Sequence, residues 1–220
     1  MASSLSTQPV AKKRGTPSMH EHDTIVKVVV SVIGRETVRK VFNIHRSFLC
    51  HYSSYFAKHF NSSDVDDHNL RLLPRVVKIF SSLVNWLYYQ RIENEDGGDL
   101  HTGELLHLWK LACQFQVVLL ENMVIDKIHE RLLLDDWAER EVYWATAELA
   151  SERPSAKKMF IDAMIATKDG AKFDTCINSD SLRSLQGDIA QALKKSQLDG
   201  LPPSLGKASD YYFSASAETK

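Results

Sequence analysis

The segment Ile25-Val26-Lys27-Val28-Val29-Val30-Ser31-Val32-Ile33 constrains this chain more than any other stretch. Val and Ile carry two heavy atoms on Cβ, which stiffens the first side-chain torsion and favours a pleated strand. Both alternating sets are largely apolar, so the run predicts a strand covered on both faces. Gly34-Arg35-Glu36-Thr37 supplies a turn, and Val38 to Ile44 predicts a second strand. Two short strands joined by so few residues should pair as an antiparallel hairpin.

After Ile44 the period becomes helical. Phe48, Leu49, Tyr52, Tyr55, Phe56 and Phe60 recur at three- and four-residue steps, in one or two short helices broken near Ser53-Ser54. Asn69 to Leu73 predicts a third strand, ended by Pro74, which has no backbone donor. A long helix should follow, with Val76, Phe80, Val84 and Leu87 in one row and Ile79, Leu83 and Trp86 in the next. Leu105, Leu108, Trp109 and Ala112 mark another helix, and Leu120, Val124, Ile128 and Leu132 one more. Asp136 with Glu139 has the form of a variant capping box, opening a helix with Ala138, Val142, Ala145 and Leu149 on one face. Trp137 and Trp144 share a face beside that row, either as a docking surface or as extended core. Pro154 opens a helix through Met159, Ala163 and Ala166, and Leu182, Leu185, Ile189 and Leu193 suggest the last.

The two ends differ from the middle. Residues 1–23 are rich in Ser, Thr, Lys and His without periodicity, which predicts a flexible tail. Residues 196–220 predict a second tail, in which Tyr211-Tyr212-Phe213 is an apolar spot able to dock.

Charge and cysteine usage narrow the class of function. The 27 basic residues against 28 acidic ones argue against holding nucleic acid through bulk charge. Cys50, Cys113 and Cys176 are odd in number and far apart, which suits a reducing compartment and not a disulfide framework. No apolar run is long enough to span a bilayer and no signal-peptide core opens the chain. The expectation is an intracellular protein, cytoplasmic or nuclear, without a membrane partner; Lys12-Lys13-Arg14 forms a short basic patch of the nuclear-import kind.

Residue patterns for chemistry are lacking. Ser31, Ser47 and Ser53 sit in no nucleophile-elbow setting, and Gly97-Gly98 lacks the Lys-Ser/Thr of a phosphate loop. His45 reads as a local hydrogen-bonding or helix-capping residue in preference to a base or ligand. Cys50-His51 are adjacent and so project differently along a helix, and His20-Glu21-His22 lies in the expected tail. No catalytic, cofactor or metal site is expected.

Several segments, in order, carry a resemblance. Phe42-Asn43-Ile44-His45-Arg46-Ser47-Phe48-Leu49-Cys50 is followed by Ser53-Ser54-Tyr55-Phe56; Phe80 to Tyr88 contains Leu83 and Trp86-Leu87-Tyr88; Leu111-Ala112-Cys113-Gln114-Phe115-Gln116-Val117 precedes Leu120-Glu121-Asn122. With the Val-rich strand ending in Gly34, these resemble the BTB/POZ domain, particularly the form abundant in fungi, over residues 24–133. The resemblance implies an α+β fold, a small three-stranded sheet beside a cluster of about five helices, with a helical extension over 134–195. It also implies a non-catalytic interaction module that self-associates, as a dimer, or binds other BTB proteins or a cullin. On that reading the interface residues are Val28, Val30, Arg46, Phe48, Leu49, Tyr52 and Phe56. Two departures stand out. Val28 occupies the position where dimerising members often bury an Asp, and Leu73-Pro74-Arg75-Val76 lacks the Glu of cullin-binding members. The alternatives are a nuclear transcription or chromatin cofactor and a cullin-type ubiquitin-ligase adapter.

Overall fold

The computed structural model describes residues 24–32, 35–62, 67–72, 74–134, 136–145, 147, 153–200 and 202–213. The basic patch at Lys12, the histidines at 20 and 22, the Gly34 turn, Leu149 and the side chain of Trp144 lie outside the described residues.

The expected hairpin forms. Strand β1 (Ile25–Val32) pairs antiparallel with β2 (Arg35–His45), Val28 opposite Phe42 and Val26 opposite Ile44, with an irregularity between Ser31 and Val32. Strand β3 (Asp67–Leu72) lies parallel to β1 on its other side, giving the order β2-β1-β3. Because β2 returns the chain to the end of the sheet where β1 starts, the link to β3 has only to pass from the β2 side to the other side of β1. Helices α1 (Arg46–Tyr52) and α2 (Ser54–Ser62) provide that link. The break between them is Ser53, whose hydroxyl accepts from Phe56 N–H at 3.1 Å and donates to the Phe115 carbonyl at 2.5 Å.

Helix α3 (Pro74–Tyr89) starts on the proline that ends the third strand, and buries Phe80, Leu83, Trp86 and Leu87. Helix α4 (Thr102–Gln114) opens with a reciprocal cap. His101 Nδ1 accepts from Glu104 N–H at 3.2 Å, and Glu104 Oε2 accepts from His101 N–H at 3.1 Å. Helix α5 (Val118–Leu133) packs against α4 through Leu120, Val124, Ile125 and Ile128.

Beyond α5 the outcome is mixed. Helix α6 (Glu139–Trp144) buries Val142, but its cap differs from the Asp136–Glu139 box expected. Glu141 Oε2 accepts from Ala138 N–H at 2.7 Å, while Asp136 pairs with Arg131 at 3.0 Å. Helix α7 (Pro154–Ala166) begins on its proline, as the fixed φ of that residue favours. Helix α8 (Gly170–Ile177), which the sequence reading does not include, turns a short apolar set, Phe173, Cys176 and Ile177, to the core; Asp169 Oδ1 caps it by accepting from Lys172 N–H at 3.1 Å. The single last helix expected from Leu182 onward is divided into a 3-10 turn over Asp180–Leu185 and helix α9 (Gln186–Asp199).

The stretch beyond Gly200, expected as a tail, is laid against the body as far as residue 213. Tyr211 closes a 3-10 turn (Ala208–Tyr211) with its ring fully buried beside α5 and α7. Among the described residues the architecture is α+β, a small mixed sheet with about nine helices, and one apolar core runs from Val26 to Tyr211.

Candidate interaction surface

The alternation of β1 sorts its side chains. Val26, Val28 and Val30 have no exposed surface and face the core with Ile44. The other set is open to solvent. Ile25 is 54% exposed, Val29 half-buried and, directly opposite Val29, Val41 is 53% exposed. The expectation that β1 is covered on both faces is therefore corrected: one face is covered by helices and the other, bordered by Lys27, Asn43 and Asn69, is not. A large β-branched pair on an open sheet face is the kind of surface a partner covers.

Most of the residues expected at an interface are in the chain's own interior. Val28, Val30, Leu49 and Phe56 are fully buried and Phe48 nearly so. Phe56 stacks between Phe60 and Phe115, with centroids 6.1 and 5.0 Å away, and Phe48 lies 4.9 Å from Tyr88. Such side chains shape the surface from beneath. Only Arg46 and Tyr52 of that group are partly exposed. The Arg46 guanidinium donates to the Phe60 carbonyl and lies 6.0 Å from the Phe60 ring. Tyr52 meets Trp86 edge-on at 5.2 Å, and burial raises its hydroxyl pKa.

His45 neither caps α1 nor bonds locally. Its backbone N–H donates to the Tyr88 hydroxyl at 3.0 Å, and its Nδ1 lies 2.9 Å from the same oxygen, across 43 residues. This joins the end of β2 to the end of α3. Trp137 is buried, with Lys172 4.2 Å above its ring, so it is core and offers no docking face.

A second histidine pair escaped the sequence reading. His68 Nδ1 on β3 lies 2.9 Å from His59 Nε2 on α2, and the Tyr55 hydroxyl lies 3.3 Å from His68 Nε2. Burial, reinforced by the neighbouring His59, lowers the His68 pKa from 6.5 to about 4. The two nitrogens face one another at hydrogen-bond distance, which leaves no room for an ion between them. Among the described residues no group of three His, Cys, Asp or Glu side chains is placed to hold a metal. The three cysteines are thiols outside any disulfide, and no described helix is long and apolar enough to cross a membrane.

A cavity of about 640 Å³ brings polar groups together from three helices: Lys78, His101, Glu104, His107, Arg140 and Glu141. Both carboxylates are committed to helix caps, at His101 N–H and Ala138 N–H. Among the described residues no Ser, Thr or Cys lines it.

Comparison with known proteins agrees with this arrangement. Residues 18–132 match the family model described as the BTB/POZ domain, a non-enzymatic family of protein–protein interaction modules whose members often dimerise. No curated protein matches the chain. The hairpin with its parallel third strand and the helices α1 to α5 all lie inside the matched span, which covers more than half of the 220 residues; the chain belongs to the BTB/POZ domain family.

Proposed function

We propose that this chain is a self-associating scaffold whose contact with a second copy is centred on the open face of the β1–β2 hairpin. The observation that carries the reading is the apolar group of exposed Ile25 and Val41 with half-buried Val29, on a sheet whose opposite face buries Val26, Val28, Val30 and Ile44. A two-fold related copy presents the same patch, so the contact is isologous and apolar at its centre, with Lys27 and Asn43 at its rim. Arg46 and Tyr52, the two exposed members of the interface set implied by the resemblance, extend it. Val28, Val30, Phe48, Leu49 and Phe56 support it from below.

The BTB core over 24–133 and the extension over 134–195 are taken as two parts of one scaffold. Cysteines held as thiols outside any disulfide support an intracellular setting. The lack of an acidic residue in Leu73-Pro74-Arg75-Val76 weighs against a cullin as the partner. Hydrogen–deuterium exchange at low and high protein concentration tests the proposal. Slower exchange in β1 and β2 at high concentration is expected; unchanged exchange there, with protection elsewhere, would place the contact on another surface.

A further inference from the structure

The segment after Gly200 is held in the way a domain holds a bound peptide. The Asn122 side chain on α5 reads the Phe213 backbone twice: Oδ1 accepts from its N–H at 3.0 Å, and Nδ2 donates to its carbonyl at 3.2 Å. His129, one turn and three residues further along α5, lies with Nε2 2.6 Å from the Gly206 carbonyl. The buried Tyr211 hydroxyl donates to Asp162 of α7 at 2.7 Å and accepts from Gly206 N–H at 3.0 Å, with Lys158 4.8 Å above the ring. Tyr212 donates to Asp126, and the Arg153 guanidinium covers the Phe213 ring at 3.8 Å.

These contacts specify a sequence. A Cβ at position 206 would stand 2.8 Å from an Asp210 carboxylate oxygen and 3.0 Å from the Tyr211 hydroxyl, so a larger residue there would crowd the two groups that bond to Lys207 N–H and Gly206 N–H. The segment is also lightly anchored. Of its side chains only Tyr211 is fully buried, while Pro202, Pro203, Ser204, Lys207, Ser209 and Asp210 are exposed. Elements with so few buried contacts open at low cost, and regulatory segments come from that class.

We propose that the groove between α5 and α7 is a receptor for a segment of the form Gly-x-x-x-Asp-Tyr-Tyr-Phe, folded through one 3-10 turn and carried by a partner polypeptide, and that residues 205–213 occupy it in cis. The chain's own segment competes at the high effective concentration set by its short tether, so a partner gains access when that segment is loosened. The proposal uses α5, α7 and the C-terminal segment and none of the sheet face, so it stands or falls separately from self-association.

A fluorescein-labelled peptide of residues 205–213 tests it by anisotropy against the full chain. Two loosened variants serve as receptors, Phe213→Ala and Tyr211→Ala/Phe213→Ala, each checked for folding by circular dichroism. Saturable binding at least about tenfold tighter than to the unaltered chain is expected, because the tethered competitor has been weakened. Adding Asn122→Ala to Phe213→Ala should abolish it, and Gly206→Ala in the peptide should weaken it. Absence of binding to every folded loosened variant would overturn the proposal. So would equal binding to the unaltered and loosened chains, or undiminished binding of the Gly206→Ala peptide.

Discussion

Arg153, at the entrance to α7, places its guanidinium between the Glu121 carboxylate and the Phe213 ring, with Nε 2.6 Å from Oε1 on one side and the ring 3.8 Å away on the other. Glu121 is completely buried and Arg153 is 12% exposed. One side chain therefore joins α5, inside the BTB match, to the helical extension and to the C-terminal segment. A buried carboxylate without its partner is expensive, whereas an apolar replacement of both groups is often neutral. Arg153→Met should lower unfolding free energy by about 3–5 kcal/mol. The double variant Glu121→Leu/Arg153→Met should recover most of it, as read from urea denaturation. A double variant no better than the single one would show that the pair matters for more than compensating charge.

The Ser53 hydroxyl serves two buried groups at once, the Phe56 N–H and the Phe115 carbonyl. Ser53→Ala removes a helix cap and leaves that carbonyl unpaired, for an expected loss of about 1–3 kcal/mol. Ser54→Ala is the control, since Ser54 is exposed and bonds only to the Gln116 side chain at 2.5 Å; it should fall within about 0.5 kcal/mol of the parent.

His68 makes stability depend on pH. Its folded pKa of about 4 lies below the 6.5 of a free imidazole, so the unfolded chain binds a proton that the folded chain refuses. Its contribution is intact above 6.5 and is lost as pH falls from 6.5 toward 4, roughly 2 kcal/mol by about pH 5. His68→Gln should flatten the urea midpoint against pH over this window. An equally steep slope in the variant would assign the dependence to other groups.

What was readable in the sequence is the part governed by local physics. The β-branched run, the proline that ends one element and starts the next, and the apolar rows of α3 to α5 each restrict the backbone by themselves. The open face of β1 was misread because both of its alternating sets contain valine. The discriminating signal was weaker: Lys27 and Ser31 fall on one set, and Arg39 and Asn43 face them across the pair. The C-terminal segment was legible only as an apolar spot, since Asn122 meets Phe213 across 91 residues and no local pattern encodes that meeting. Helix α8 is harder to read because its apolar set, Phe173, Cys176 and Ile177, spans barely one turn and only Cys176 in it is fully buried.

The most direct measurement is the mass of the full chain by light scattering across a wide concentration range, for the parent, Ile25→Asp/Val41→Asp and Val28→Asp. The outer pair is exposed, so its variant should stay folded and run as a monomer where the parent forms a dimer. Val28 is fully buried and should instead unfold, because an unpaired charge would enter the core. A folded Ile25→Asp/Val41→Asp variant whose mass matches the parent's at every concentration would contradict association through the sheet face.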